Sequence, residues 1–154
     1  MAGVAQMKRR AFFTSSAGLM MSIVVRPVAA LTQSDVLIPL VTAYAAGAKV
    51  SEGRVKLDIA PLVDNGNSVP VEITVESPMT QAQHVVGIAL FNEKNPQNQV
   101  AEFTLSPLSG RARVATRIRL ALSQQLVAVA KMNDGSCWMH TVEVLVTIAS
   151  CIEE

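Results

Sequence analysis

Aromatic side chains are scarce in this chain: one Trp, one Tyr and four Phe make up 4% of its 154 residues. That excludes a platform of stacked aromatics for single-stranded nucleic acid. It also leaves the core to Val, Ile, Leu and Ala, in a sequence half of whose residues are apolar. Histidine is nearly absent, and neither His84 nor His140 has a second ligand at metal-site spacing, so both read as ordinary strand residues. No Ser/His/Asp order, HExxH, P-loop or glycine-rich dinucleotide fingerprint occurs, so the sequence offers neither an enzyme active site nor a cofactor or metal site. Long apolar runs are missing too. The stretch from Ala17 to Val25 falls far short of the ~20 residues of a membrane-spanning helix, and Arg26 and Pro27 interrupt it. No retained membrane anchor is expected.

What is present begins with residues 1–30. The stretch "MKRRAFFTSSAGLMMSIVVRPVAA" has a basic start, a modest apolar run and an alanine-rich end, the pattern of an export signal cleaved near Ala30. Arg9 and Arg10, followed by Phe12 and Phe13, resemble the twin-arginine type, which carries folded proteins to the periplasm. Translation could start at Met1 or at Met7, since the pattern needs nothing before Lys8. Cleavage would remove four of the thirteen basic residues (Lys8, Arg9, Arg10 and Arg26) and none of the twelve acidic ones, leaving nine against twelve and a net charge of −3. A mildly acidic domain is no nucleic-acid binder.

Residues 31–52 form a lead-in. From Ser34 to Ala46, Val36, Leu37, Leu40, Val41 and Tyr44 recur at helical spacing behind a possible Ser34-Asp35 cap, with Pro39 moving the start toward Ile38 or kinking the helix. Over residues 53–148 the period falls to two. Val55, Leu57 and Ile59 alternate with polar residues, as do Val69, Val71, Ile73 and Val75. Further runs at His84–Phe91, Gln99–Leu105, Ala112–Leu120, Gln125–Met132 and Met139–Ile148 are separated by turn material such as "DNGNS", "NEKNPQN" and "NDGS". About seven strands with one buried face each predict an all-β, antiparallel two-sheet sandwich with a short N-terminal helix.

Two features remain. Arg111, Arg113, Arg117 and Arg119 fall on one side of a single strand, either as a solvated face paired with acidic neighbours or as a partner-docking edge. The cysteines, Cys137 and Cys151, bracket the last strand, so roughly 30 Å of extended chain separates them. A bridge needs Cα atoms within about 7 Å. Cys151, in the tail formed by residues 149–154, is therefore expected to be free or bonded outside this chain, and Cys137 in "NDGSCW" to be a packed small hydrophobe.

From about Gly53 to Cys151 the chain resembles the SoxY family, in "LVDNGNSVPVEITVESPMT", "FNEKNPQNQVAEFTLSPLSG", "ATRIRLALSQQLVAVAKMNDGS" and "VEVLVTIASC". The resemblance implies an immunoglobulin-like sandwich that is a carrier and not itself an enzyme. It would hold sulfur intermediates of thiosulfate oxidation on a C-terminal cysteine, the place of Cys151. It also implies a SoxZ-like partner subunit, and Sox enzymes that act on the cargo: a haem enzyme that loads thiosulfate, a sulfate-releasing hydrolase and a sulfur dehydrogenase.

Family members are similar in flanking that cysteine with glycine pairs. Here Ala149 and Ser150 precede it and Ile152, Glu153 and Glu154 follow. Glycine would give backbone freedom and no bulk. Ile152 adds bulk beside the sulfur, and the glutamates with the terminal carboxylate disfavour the thiolate. The alternative is thus a diverged SoxY-like subunit that keeps the fold and the SoxZ-type pairing but carries cargo poorly or not at all. A generic secreted sandwich for adhesion or ligand binding accounts for the composition but not for the long matched segments.

Overall fold

The computed structural model of the chain describes residues 34–148. They begin with one helix, α1 (Leu37–Tyr44). The first turn is closed by the Ser34 carbonyl, which accepts from Leu37 N at 3.0 Å and from Ile38 N at 3.3 Å. The N-cap position falls on Val36 without a side-chain cap, so the expected Ser34-Asp35 cap is replaced by a backbone one. Pro39 sits in this first turn, where a missing N–H forfeits no intrahelical bond. The helix stops where Ala46 and then Gly47 take left-handed φ values of 51° and 81°.

Nine strands follow: β1 (Val50–Glu52), β2 (Val55–Asp58), β3 (Leu62–Asn65), β4 (Val69–Val75), β5 (Val85–Asn92), β6 (Gln99–Thr104), β7 (Arg113–Ile118), β8 (Gln124–Met132) and β9 (Cys137–Ile148). A larger sheet runs β1-β9-β8-β5-β6, with β3 also on β9, and a smaller one runs β2-β4-β7. The seven runs expected from alternation are all strands. The two additions, β1 and β3, pair parallel to β9 (Val50↔Cys137, Leu62↔Leu145), so the larger sheet is mixed and not wholly antiparallel.

Alternation in β4 buries Val69, Val71, Ile73 and Val75 against Ile88, Leu90, Leu126, Ala128 and Val144 of the opposite sheet, which forms the main core. β5 and β8 are apolar on both faces because α1 covers the second one. Leu37 and Val41 pack with Ala89, Phe91, Val127 and Val129 on the outside of the larger sheet. The order of layers is helix, larger sheet, smaller sheet. On one side the sandwich is laced shut by Leu57 N–H of β2, which donates to His140 Nδ1 of β9 at 3.1 Å. Among the described residues no helix is long and apolar enough to cross a membrane.

Candidate functional site

β9 carries the chain to the candidate thiol. Cys137 opens the strand at 1% exposure, and Cys151 follows its end, outside the described residues. Arg9, Arg10 and Ala30 also lie outside the described residues.

Cys137 is a free thiol with little chemistry available to it. Burial pushes its pKa up, Lys131 pulls against that, and Asp134 adds to it. The turn before it is fixed by Asp134 Oδ1, which accepts from Ser136 N at 2.8 Å and from Ser136 Oγ at 2.6 Å. The next residue, Trp138, donates from its ring N–H to Ser136 Oγ at 3.3 Å and lies under the Arg54 guanidinium, 4.7 Å from the ring centroid. Cys137 is therefore the packed hydrophobe expected of it.

The far end of β9 is held from both sides. Leu145 N donates to Pro61 O at 2.9 Å, just before β3, and Thr147 Oγ1 to Asp64 O of β3 at 3.1 Å, while Val146 N donates to Ser123 Oγ at 2.8 Å, before β8. β3 thus explains itself: it clamps the root of the tail. The paired Leu62 and Leu145 are 57% and 52% exposed, an apolar step beside that root.

The arginines divide. Arg113 and Arg117 stand on the outer face of β7, and Arg111 and Arg119 flank the strand. Arg113 forms a fork with Glu72 (Nε to Oε1 at 2.7 Å, Nη2 to Oε2 at 2.6 Å). Its hydrogen bonds hold the Glu72 carboxyl below its ordinary value. Arg117 reaches only Ser68 Oγ at 3.5 Å. An arginine paired with a carboxylate and one without an ion pair among the described residues thus coexist on one strand. His84 lies just before β5 with Nδ1 3.0 Å from Thr80 O, and His140 serves the inter-sheet bond. Among the described residues no group of three His, Cys, Asp or Glu is placed to hold a metal.

Sequence reading treats the β5–β6 loop only as turn material. Its signal is compositional: "NEKNPQNQ" places five carboxamides in eight residues, Asn92 to Gln99.

The family model described as sulfur oxidation protein SoxY matches residues 41–151, a match whose last residue is Cys151. Among solved structures, the sulfur carrier protein SoxY from Chlorobium limicola f thiosulfatophilum is 25% identical with a TM-score of 0.62, over 73% of this chain and 97% of that one. A superoxide reductase (neelaredoxin) from Ignicoccus hospitalis is 21% identical over 61% of this chain and 80% of its own, with a TM-score of 0.54. The superoxide reductase from Nanoarchaeum equitans is 12% identical over 62% and 100%, also with a TM-score of 0.54. The two reductases share the sandwich fold with this chain. No curated protein matches.

Proposed function

The chain belongs to the SoxY family of sulfur oxidation proteins, and from that premise we propose that it carries sulfur intermediates covalently on Cys151. The observation that supports this most is the reach of the family match, which runs through the whole of β9 and ends on that thiol. Cys137, the other thiol, is buried with a raised pKa and is unsuited to the task.

Loading joins the Cys151 thiolate to the outer sulfur of thiosulfate. One S–S bond forms, and two electrons leave to the haem enzyme that catalyses the step. The product is a cysteine S-thiosulfonate. Water then attacks its sulfone sulfur; sulfate and two protons leave, and a persulfide anion stays on the cysteine. A sulfur dehydrogenase oxidises that remaining sulfur. The protein is the scaffold on which enzymes act, and contributes no catalytic group of its own.

Position supports the reading as well. Two residues, Ala149 and Ser150, separate Ile148 from Cys151, so the Cys151 Cα lies at most roughly 11 Å beyond the strand end. A partner enzyme has to come close to the root, where Leu62 and Leu145 supply apolar contact area. A SoxZ-like subunit completes the carrier, and the twin-arginine segment around Arg9 and Arg10 delivers it to the periplasm. The rival reading, a diverged subunit that handles cargo poorly, draws on Ile152, Glu153 and Glu154 beside the sulfur. The test is the intact mass of the protein from cells grown on thiosulfate, alongside the growth of a Cys151→Ser strain that lacks any other copy of the carrier. A thiosulfate-derived mass on wild type and loss of growth in the variant support carriage; an unloaded wild-type tail favours the diverged subunit.

A further inference from the structure

The smaller sheet has β2 and β7 as its outer strands, and the two edges differ. Glu76 N donates to Arg54 O at 2.7 Å, so the ladder bonds between β2 and β4 fall on Lys56 and Asp58, and Leu57 N–H points away from β4. There His140 Nδ1 accepts it, which closes the β2 edge. The β7 edge has no such cap. Val75 N donates to Ala112 O at 2.8 Å and so sets the phase of that ladder: Val114, Thr116 and Ile118 exchange bonds with Ile73, Val71 and Val69. The N–H and C=O groups of Arg113, Ala115 and Arg117 therefore point away from β4, as a row that no described backbone group meets. Pro70, opposite Arg117, fits the same phase, since its position needs no N–H toward β7.

The three residues of that row are exposed. A hollow of about 610 Å³ lined by Ser109, Gly110, Arg111, Arg113 and Ala115 leaves room beside the first half of the strand. Charge along the row has one sign, because the chain from Phe103 to Asn133 contains no acidic residue. Across the sheet, Glu72 is engaged by Nε and Nη2 of Arg113, and Glu76 shares a second hollow with Arg111. A bare edge is a template for another strand, and here the arginines decide which one. Two copies of β7 paired antiparallel about Ala115 would set Arg113 of each against Arg117 of the other. A slip of two residues sets Arg111 against Arg117 in one direction and Arg113 against Arg119 in the other. Like charges directly opposite destabilise a ladder, so each of these self-pairings is penalised.

We infer that β7 accepts an added antiparallel strand from a different protein, an extended acidic segment with carboxylates four residues apart, the spacing of Arg113 and Arg117. One carboxylate faces Arg117, the other faces Arg113, and a small residue between them faces Ala115. Backbone bonds to the outward row supply affinity, while the carboxylates set the register and favour this strand over a second copy. Arg117 carries more of the discrimination, because Arg113 is already shared with Glu72. Nothing in this depends on Cys151 or on whether the protein carries sulfur.

The probe is a synthetic peptide with blocked ends, Thr-Glu-Val-Thr-Val-Glu-Thr, titrated into the full mature chain while amide exchange and chemical shifts are followed by NMR. In the chain alone the amides of Arg113, Ala115 and Arg117 should exchange fast and those of Val114 and Thr116 slowly; the peptide should slow the first three. Lysine in place of both glutamates should weaken binding by at least about tenfold, and so should a rearranged peptide with adjacent glutamates, which puts them on opposite faces. Arg117→Glu, a surface change, should remove most of the preference for glutamate over lysine. Slow exchange of the three amides in the chain alone would mean that the edge is already covered, and overturns the inference. Equal binding of the ordered and rearranged peptides, which is charge attraction without register, overturns it too, as does no binding of the glutamate peptide or binding that leaves the three amides unprotected.

Discussion

The hydroxyl of Tyr44 lies 2.7 Å from the point where a β-carbon on Gly87 would sit. Tyr44 ends α1 and Gly87 is in β5, so this contact sets how closely the helix lies on the sheet. Tyr44 also meets Phe91 edge-on, with ring centroids 6.0 Å apart and planes at 69°. Gly87→Ala should cost about 1–3 kcal/mol of stability by forcing the phenol aside. The double variant with Tyr44→Phe should recover most of it, because the next atoms, Phe103 O and Tyr44 Cζ, are at 3.7 and 3.9 Å, ordinary contact. Denaturant unfolding of the two single variants and the double one measures the coupling; strictly additive losses would mean that the helix does not rest on this strand.

The same tyrosine predicts an alkaline transition. Burial, with smaller contributions from Glu102 and Cys137, pushes its phenol from 10.0 up to about 12. The folded state prefers the neutral form, so this contribution to stability is whole below pH ~10 and is lost as the pH rises toward and through about 12. The chain has one tyrosine, so phenolate absorbance reports Tyr44 alone. A midpoint near 10 in the folded protein would contradict the docked helix.

At the acid end the fork between Arg113 and Glu72 acts in the opposite direction. Hydrogen bonds from Arg113 hold the Glu72 carboxyl low, so its contribution is present above the ordinary carboxylate range and fades as the pH falls through the lowered value. The pair is solvent-exposed, so salt should weaken it. Glu72→Gln should flatten the stability profile between neutral and acid pH at low salt and leave it unchanged at high salt. By contrast Ile73→Ala, one residue along on the buried face, should cost about 2–5 kcal/mol at any pH. Similar losses from the two changes would put the strand in the wrong register.

Thiol labelling separates the two cysteines. Cys137 should resist iodoacetamide until the protein unfolds, since burial both hides it and raises its pKa. Cys151 should react in the native protein, and faster at pH 9 than at pH 7. Glu153→Gly combined with deletion of Glu154 should raise the neutral-pH rate by about a factor of a few, because removing negative neighbours favours the thiolate. A native Cys137 adduct would remove the basis for choosing between the thiols.

Periodicity made most of this fold legible. β4 alternates so regularly that Val71 and Ile73 can be assigned to the core from the sequence, and both are buried. The unbroken apolar run in β5 reflects a second cover, and the cover is α1, whose own apolar spacing is visible. β1 and β3 escaped for a physical reason: with three and four residues they are too short to show a period, and they exist because β9 offers a parallel edge. Asp64 and Asn65 even carry turn chemistry, yet they extend the clamp on the tail root. The joining of two loops was illegible for another reason. Asn92 ends β5 and Arg119 follows β7, and side-chain hydrogen bonds of Asn95, Lys94 and Gln124, invisible to any periodicity, bring the segments after those strands together. Arg113 shows the limit of charge counting, because its pairing with Glu72 follows from the β4–β7 register.

The central claim is that Cys151 bears the cargo, and mass spectrometry of the intact protein from thiosulfate-grown cells, followed by peptide mapping, tests it most directly. The account predicts a fraction of molecules heavier by a thiosulfate-derived or persulfide group, mapped to the peptide ending in "SCIEE", removed by a thiol reductant and absent from Cys151→Ser. A wild-type protein recovered only with an unmodified Cys151, under conditions in which thiosulfate is being consumed and no other carrier copy exists, would contradict it.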